Sequence, residues 1–302
     1  GEIEDPANNK HLQGLVSTIA QASTLHAATT YILEEETWEV TALYLEAIDH
    51  LCHGFMKYYP PRRPHVKEKE FEWFKDVVDG VYRFHDMMLD RLLELAGDDT
   101  TIVLVSDHGF HPGKMRPEKF VKEPAAPAQE HSPYGIIVMK GPGIKQDEII
   151  YGTSILDVCP TLLHLMGLPV ADDMDGKVLL NAFEDPAPVQ QINSWEDIPG
   201  EDGSHSAAVK IDTAAAKAEL DQLIELGYVD RPEGEGKITT DEVINENEFN
   251  LARSYIDARR HKEAAEILER LVEKLPKEPR YMLKLAHCYR ALHQTTASRE
   301  MI

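Results

Sequence analysis

The sequence predicts an α/β fold with a mostly parallel sheet flanked by helices, followed by a small all-α segment. Residues 41–46 and 101–106 have the composition of strands, and residues 67–96 between them have an amphipathic helical pattern. A strand, a long helix and a second strand in succession predict a β-α-β unit with parallel strands. The second run is continuously apolar, which is typical of a central strand covered on both faces. Residues 246–302 instead repeat a helical pattern.

The other elements are predicted from helical periodicity and from the Pro and Gly residues that interrupt it. In chain order they are a helix at about 11–36, a loop at 60–64, a strand at 135–140, a helix from Ser154 to Met166 and a helix at about 212–226. Ser154, with Asp157 three residues later, has the pattern of a capping box. We therefore expect a partial α/β domain over 1–185, a linker with one helix over 186–245 and helical repeats over 246–302.

The composition restricts the classes of partner. The 302 residues include 31 Lys and Arg against 53 Asp and Glu, a formal charge of −22, which opposes binding to nucleic-acid polymers or to anionic membrane surfaces. No apolar run approaches the ~20 residues of a membrane-spanning helix. Three distant cysteines (Cys52, Cys159 and Cys288) indicate a reducing compartment, so we expect a cytoplasmic protein. Because the chain begins at Gly1 rather than Met, we expect it to be part of a longer protein.

The C-terminal segment contains an internal repeat. Leu251-Ala252-Arg253-Ser254-Tyr255 recurs as Leu285-Ala286-His287-Cys288-Tyr289, 34 residues later. This period, with Leu-Ala-x-x-Tyr in the first helix of each copy, resembles the tetratricopeptide repeat. About one and a half copies are present, whereas such repeats need about three neighbours to bury a continuous core. We therefore expect more repeats in the full protein, and a protein partner or an intramolecular lid that uses them.

Three short motifs in the α/β part contain metal-binding residue types. Asp49 and His53 lie four residues apart on one face of a predicted helix, where a carboxylate and an imidazole can share an ion. Asp107 and His108 follow a predicted buried strand, and ligands of open α/β sheets bind beyond such carboxyl ends. His131 precedes the next strand and would enter the same edge. Taken singly, the motifs also fit a solvated helix face, a turn cap and a polar loop.

Taken together and in this order, the motifs resemble the alkaline phosphatase superfamily, most closely its type I phosphodiesterase/nucleotide pyrophosphatase branch. The resemblance covers about residues 38–180 and is carried by the stretches 44–53, 105–110, 131–135, 141–144, 155–163, 167–169 and 173–176. It implies an alkaline-phosphatase-like, mostly parallel sheet flanked by helices, with its N-terminal part missing from this chain.

The resemblance also implies two divalent metal ions side by side. Zinc is usual in the family, and the Asp and His ligand set also suits manganese or iron. Carried over by position, Asp49, His53 and His131 would bind one ion. Asp107 and His108 would be two ligands of the other.

The nucleophile of the family has no counterpart in this sequence. Family members have an Asp ligand after the first strand and a Thr or Ser nucleophile at a helix start, both before these motifs. Here the candidate hydroxyl residues before residue 38 fall within or at the end of one predicted helix: Thr18, Ser23, Thr24, Thr29 and Thr30. We therefore expect the nucleophile and one ligand to lie upstream, and this chain alone to be inactive.

The leading functional hypothesis is a metal-dependent hydrolase of small phosphate esters, of phosphodiesterase or nucleotide pyrophosphatase type. It would act by two-metal phosphoryl or nucleotidyl transfer. A phosphomutase or a sulfatase on the same scaffold is an alternative within enzymes. The third hypothesis is a non-catalytic metal-binding protein that docks a partner through its helical repeats. The missing nucleophile favours this third hypothesis, whereas the five ligand residues favour the first.

Overall fold

The computed structural model describes residues 9–116, 130–200 and 240–301 and divides the chain into two compact units. Of the described residues, 9–116 and 130–142 form the first unit, and 143–200 and 240–301 form the second. The helix predicted at about 212–226 lies outside the described residues. Within those that are described, every helix is too short or too polar to cross a membrane.

The first unit is built around helices. They are α1 (Lys10–Glu35), α2 (Ala47–Phe55), α3 (Glu68–Phe74) and α4 (Val77–Ala96). The core lies where α2 packs, because Leu51, Cys52 and Phe55 have no exposed surface. Buried side chains of the following turn, of α3 and of α4 complete it: Met56, Tyr58, Val66, Phe74, Val78 and Val81.

The helix boundaries follow from local chemistry. The Asn9 side chain accepts a hydrogen bond from the amide of Leu12, which caps α1. Gly97, at φ 71°, ends α4 in a conformation that favours glycine. The sequence predicts a single helix over 67–96, but the structure has two. Asp76 interrupts the helix, because its ψ near 0° is not helical, and it is the N-cap residue of α4.

The predicted strand at 41–46 is wrong. These residues belong to no ladder in the structure, and α2 begins immediately after them. A strand exists only through hydrogen bonds to a neighbour, and β composition alone does not supply that neighbour. The predicted β-α-β unit is therefore absent from this part of the chain.

The predicted parallel sheet is not confirmed, since the described strands of the first unit pair antiparallel. They are β1 (Ile102–Ser106), β2 (Gly109–Phe110), β3 (His131–Ser132) and β4 (Ile136–Lys140). β1 pairs with β4 from Ile102 opposite Lys140 to Ser106 opposite Ile136, and β2 pairs with β3. β2 follows β1 and β4 follows β3 along the chain, so the two antiparallel ladders are adjacent.

The sequence also predicts that β1 is covered on both faces, and this prediction is wrong for the described residues. Leu104 and Val105 are about two-fifths exposed, and Ile136 and Val138 on β4 are more than half exposed. Within the described residues β1 pairs with β4 alone, and side chains of both strands stay partly exposed.

The second unit begins with the predicted capping box, which is confirmed. The Ser154 hydroxyl accepts from the amide of Leu156, and the Asp157 carboxylate accepts from the amide of Ser154. The helix that follows is α5 (Val158–Leu165). A short parallel pair joins β5 (Val170–Ala171) to β6 (Gln191–Ile192).

Four helices complete the second unit: α6 (Thr240–Asp257), α7 (His261–Lys274), α8 (Pro279–Ala291) and α9 (Thr295–Glu300). The turns that join each pair repeat in geometry as well as in sequence. Arg259 and His293, 34 residues apart, both have φ near +60°, and the amides of Arg260 and Gln294 both return to a tyrosine carbonyl. The helical repeat is therefore present, and its identity as a tetratricopeptide repeat stays a prediction.

Candidate metal centre

Helix α2 fixes the first two candidate ligands. Its apolar side carries Leu51 and Phe55 into the core, so the opposite side carries Asp49 and His53 one turn apart. The imidazole Nε2 of His53 lies 3.4 Å from the Asp49 Oδ1 atom. The His53 side chain is 1% exposed and that of Asp49 28%, so the histidine is buried and the aspartate is partly accessible to solvent.

The β2–β3 ladder brings the other two histidines to the same place. Phe110 pairs with His131 in the ladder register, and His108 directly precedes β2. Gly135 allows this path, because a Cβ atom there would lie 1.8 Å from the carbonyl oxygen of Ser106. The Phe110 ring packs edge-on against the imidazole of His53, with ring centres 4.9 Å apart.

The Asp49 Oδ1 atom is the centre of the cluster. The Nε2 atoms of His108 and His131 lie 3.6 and 3.8 Å from it. His131 Nε2 is also 2.8 Å from His53 Nε2. Asp49, His53 and His131 therefore offer ligand atoms that all lie within 4.8 Å of one another.

The cluster fits a divalent cation. The Asp49 Oδ1 atom is buried and accepts no hydrogen bond from the described residues. A buried carboxylate oxygen without a partner is costly, and a cation among the three imidazoles would satisfy it. Two ring nitrogens that face each other at 2.8 Å also require a proton or an ion between them. One carboxylate and several imidazoles are typical zinc ligands, and they also suit manganese or iron.

The charges of the site differ from one histidine to the next. Burial, with the neighbouring His108 and His53, lowers the pKa of His131 to about 4, so its imidazole is neutral near pH 7. Burial also opposes the charge of His53, but the Asp49 and Glu130 carboxylates outweigh it and raise the His53 pKa. Burial would raise the pKa of Asp49, and the three histidines lower it overall. Asp49 is therefore ionised and His131 is ready to act as a ligand.

Asp107 and His108 differ in how closely they approach the cluster. The His108 ring stacks on that of His131, with centres 3.6 Å apart and planes inclined by 13°. The Asp107 side chain is 72% exposed, and its Oδ1 atom accepts a hydrogen bond from the amide of His108. The structure thus brings His108 to Asp49. The assignment of Asp107 and His108 to a separate ion stays a prediction.

Two residues of the site were not singled out from the sequence. Glu130 accepts a hydrogen bond from the second ring nitrogen of His53, and Phe110 contacts three of the imidazoles. The only sequence signal for Glu130 is its place directly before His131. Cys52, between two candidate ligands in sequence, has no exposed surface, and burial raises the pKa of its thiol to about 12. It is therefore a packing residue.

Four hydroxyl groups of α1 behave as expected for helix residues. Those of Ser23, Thr24, Thr29 and Thr30 all donate to carbonyl oxygens of the preceding turn. Beside the cluster, the Ser106 hydroxyl donates to the carbonyl oxygen of His108. These hydroxyl groups are thus bonded to backbone.

Two comparisons with known proteins gave a match. An extracellular sulfatase SULF-1 homolog from Drosophila melanogaster is 24% identical over 155 residues, which is 43% of this chain and 14% of that protein. The matched stretch thus spans far less than two thirds of this relative. Solved structures gave no significant match. Residues 2–151 match the family model of type I phosphodiesterase / nucleotide pyrophosphatase, a family of the alkaline phosphatase superfamily, and the whole Asp and His cluster lies within this match.

Proposed function

We propose that this chain supplies the metal-binding part of a phosphodiesterase or nucleotide pyrophosphatase that uses two divalent ions, preferably zinc. The observation that carries the proposal is the Asp49 Oδ1 atom, buried without a hydrogen bond from the described residues and surrounded by three imidazole nitrogens at 3.4–3.8 Å. The family match over residues 2–151 supports the reaction class, a hydrolase of phosphate esters.

In this proposal Asp49, His53 and His131 hold the first ion, and Asp107 with His108 contributes to the second. Bound ions would supply Lewis acids for the phosphoryl oxygens, whose negative charge grows in the transition state. At the first ion the chain would contribute the carboxylate charge of Asp49 and a neutral imidazole at His131. The Phe110 ring packs edge-on against the imidazoles of His53 and His131 and supports their positions.

We expect the attacking hydroxyl to lie elsewhere than on α1 or at Ser106. The hydroxyl groups of Ser23, Thr24, Thr29 and Thr30 on α1 and of Ser106 beside the cluster donate to backbone carbonyls. We therefore propose that none of these five hydroxyl groups is the nucleophile, and we expect the chain by itself to bind metal and phosphate without turnover.

Metal binding is tested on the chain itself. Protein treated with a chelator is titrated with zinc, and bound ions are counted by mass spectrometry. Asp49→Asn should abolish the tight site, because the oxygen at the centre of the cluster loses its charge. Asp86→Asn is the matched control, since Asp86 is exposed on α4. Wild-type protein that fails to bind zinc, or an Asp49→Asn variant that binds as tightly as the control, contradicts the proposal.

Substrate class is tested by anion binding to the zinc-loaded chain. Calorimetry with AMP, inorganic phosphate and sulfate should show zinc-dependent binding of AMP and phosphate, abolished by chelation. The likeness to the Drosophila protein makes a sulfatase the second candidate, and stronger binding of sulfate than of phosphate would favour it. Tight zinc binding with no affinity for any of the anions would instead favour the non-catalytic metal-binding protein.

A further inference from the structure

We propose that Glu130 is a positioning residue that sets the tautomer and the orientation of His53 for metal binding. The inference rests on the proposed metal centre and adds to it a residue outside the ligand set. The Glu130 Oε2 atom lies 2.7 Å from His53 Nδ1. The two side chains are 10% and 1% exposed, so this hydrogen bond is shielded from water.

The two nitrogens of the His53 ring have different tasks. Nδ1 faces Glu130, whereas Nε2 faces Asp49 at 3.4 Å and His131 at 2.8 Å. Glu130 thus contacts the ring on the nitrogen that does not face the cluster. This geometry makes Glu130 an orienting group for a ligand, while Asp49, His53 and His131 form the ligand set itself.

The backbone holds Glu130 in this place. Its carbonyl oxygen accepts a hydrogen bond of 2.9 Å from the amide of His111, which extends the β2–β3 ladder by one pair. His131 follows directly and points its own Nε2 atom at the cluster. Glu130, directly before β3, and His131, the first residue of β3, therefore act on the same centre, His131 as a ligand and Glu130 through His53.

The hydrogen bond decides which nitrogen carries the proton. A carboxylate can only accept, so Nδ1 of His53 must donate to it. In the neutral ring this leaves the lone pair on Nε2, which is the form a metal ion requires. Without Glu130 the ring could carry its proton on Nε2 and donate it to Asp49, which would occupy the direction that an ion needs. Carboxylates that orient metal-binding histidines in this way typically change metal affinity roughly 10- to 100-fold.

The test compares Glu130→Gln with Glu46→Gln. Both remove one carboxylate charge near the centre, but Glu46 is about half exposed, lies before α2 and contacts His50 instead of His53. Zinc affinity is measured by competition with a chelator. Glu130→Gln should weaken zinc binding roughly 10- to 100-fold, and Glu46→Gln should leave it nearly unchanged. An equal loss in both variants would show a general charge effect and overturn the inference.

A second readout follows the ring directly. Nitrogen-15 NMR of the zinc-loaded wild type should show His53 with a protonated Nδ1 and a metal-bound Nε2, and Glu130→Gln should broaden or shift the Nδ1 signal. If Glu130→Gln does not fold, the wild-type spectrum alone decides, because an unprotonated Nδ1 overturns the inference. Wild-type protein that binds no zinc refutes the metal centre itself. Tight zinc binding that Glu130→Gln leaves unchanged refutes only the role of Glu130.

Discussion

Replacing Phe55 by Ala should destabilise the first unit more than almost any other single change on α2. The Phe55 side chain has no exposed surface, and its ring centre lies 5.3 Å from that of Phe74 and 6.2 Å from that of Tyr58. A buried aromatic ring removes roughly 200 Å² from water, which at about 25 cal/mol per Å² corresponds to ~5 kcal/mol. Residual burial in the unfolded chain reduces this figure, and the cavity left behind adds to it. We expect the free energy of unfolding to fall by about 4 kcal/mol.

The assay is urea unfolding followed by the fluorescence of Trp73, which packs against Phe74 with ring centres 6.2 Å apart. Trp38 and Trp195 are replaced by Phe in all samples, so the signal belongs to the first unit. Met87→Ala is the control, because Met87 on α4 is 71% exposed and its loss should cost less than about 0.5 kcal/mol. A loss below about 1 kcal/mol for Phe55→Ala would refute the assignment of this ring to the core.

Three further outcomes are expected. Cys159 is exposed while the other two cysteines are buried, so a thiol reagent at pH 7.5 should label one cysteine rapidly; rapid labelling of more than one contradicts this. Burial raises the pKa of Cys288 from 9.0 to about 11, so folding favours the protonated thiol. The stabilisation of the second unit by the protonated Cys288 thiol is complete below pH 9 and is lost as the pH rises towards 11. The urea midpoints at pH 8 and pH 10 should therefore differ less in Cys288→Ala than in wild type. Asp175 accepts hydrogen bonds from Tyr255 on α6 and from Arg260, which directly precedes α7, and all three side chains are partly exposed. Asp175→Ala should therefore lower the free energy of unfolding by about 1 kcal/mol, measured by thermal unfolding. An unchanged melting temperature would show that these bonds contribute nothing.

Local signals explain what could be predicted from the sequence. The spacing of Asp49 and His53 required only that one helix form, and the amphipathic pattern around Leu51 ensured that. The capping box at Ser154 likewise depends on four consecutive residues. The 34-residue repeat was visible because the same small and apolar residues return at the same helix positions.

Pairing over long distances could not be predicted in this way. The composition of 101–106 indicates a strand, but nothing in it distinguishes an antiparallel neighbour at 136–140 from a parallel one. The contact between Glu130 and His53 joins residues 77 positions apart, and a single glutamate has no periodic pattern that marks it. The place of His108 beside Asp49 depends on the β2–β3 ladder, which is also a pairing of distant residues, and so it too becomes visible only in the structure.

The turns of the helical repeat have a consequence for engineering. Arg259 and His293 adopt a left-handed backbone conformation, which costs a residue with a Cβ atom roughly 1–2 kcal/mol. Glycine adopts this conformation freely, although it loses more chain entropy on folding, which offsets roughly 0.5–1 kcal/mol of the gain. Arg259→Gly and His293→Gly together should therefore raise the melting temperature of the second unit. The two equivalent turns of the repeat are thus positions where one substitution per turn should add thermal stability without altering the packing of the helices.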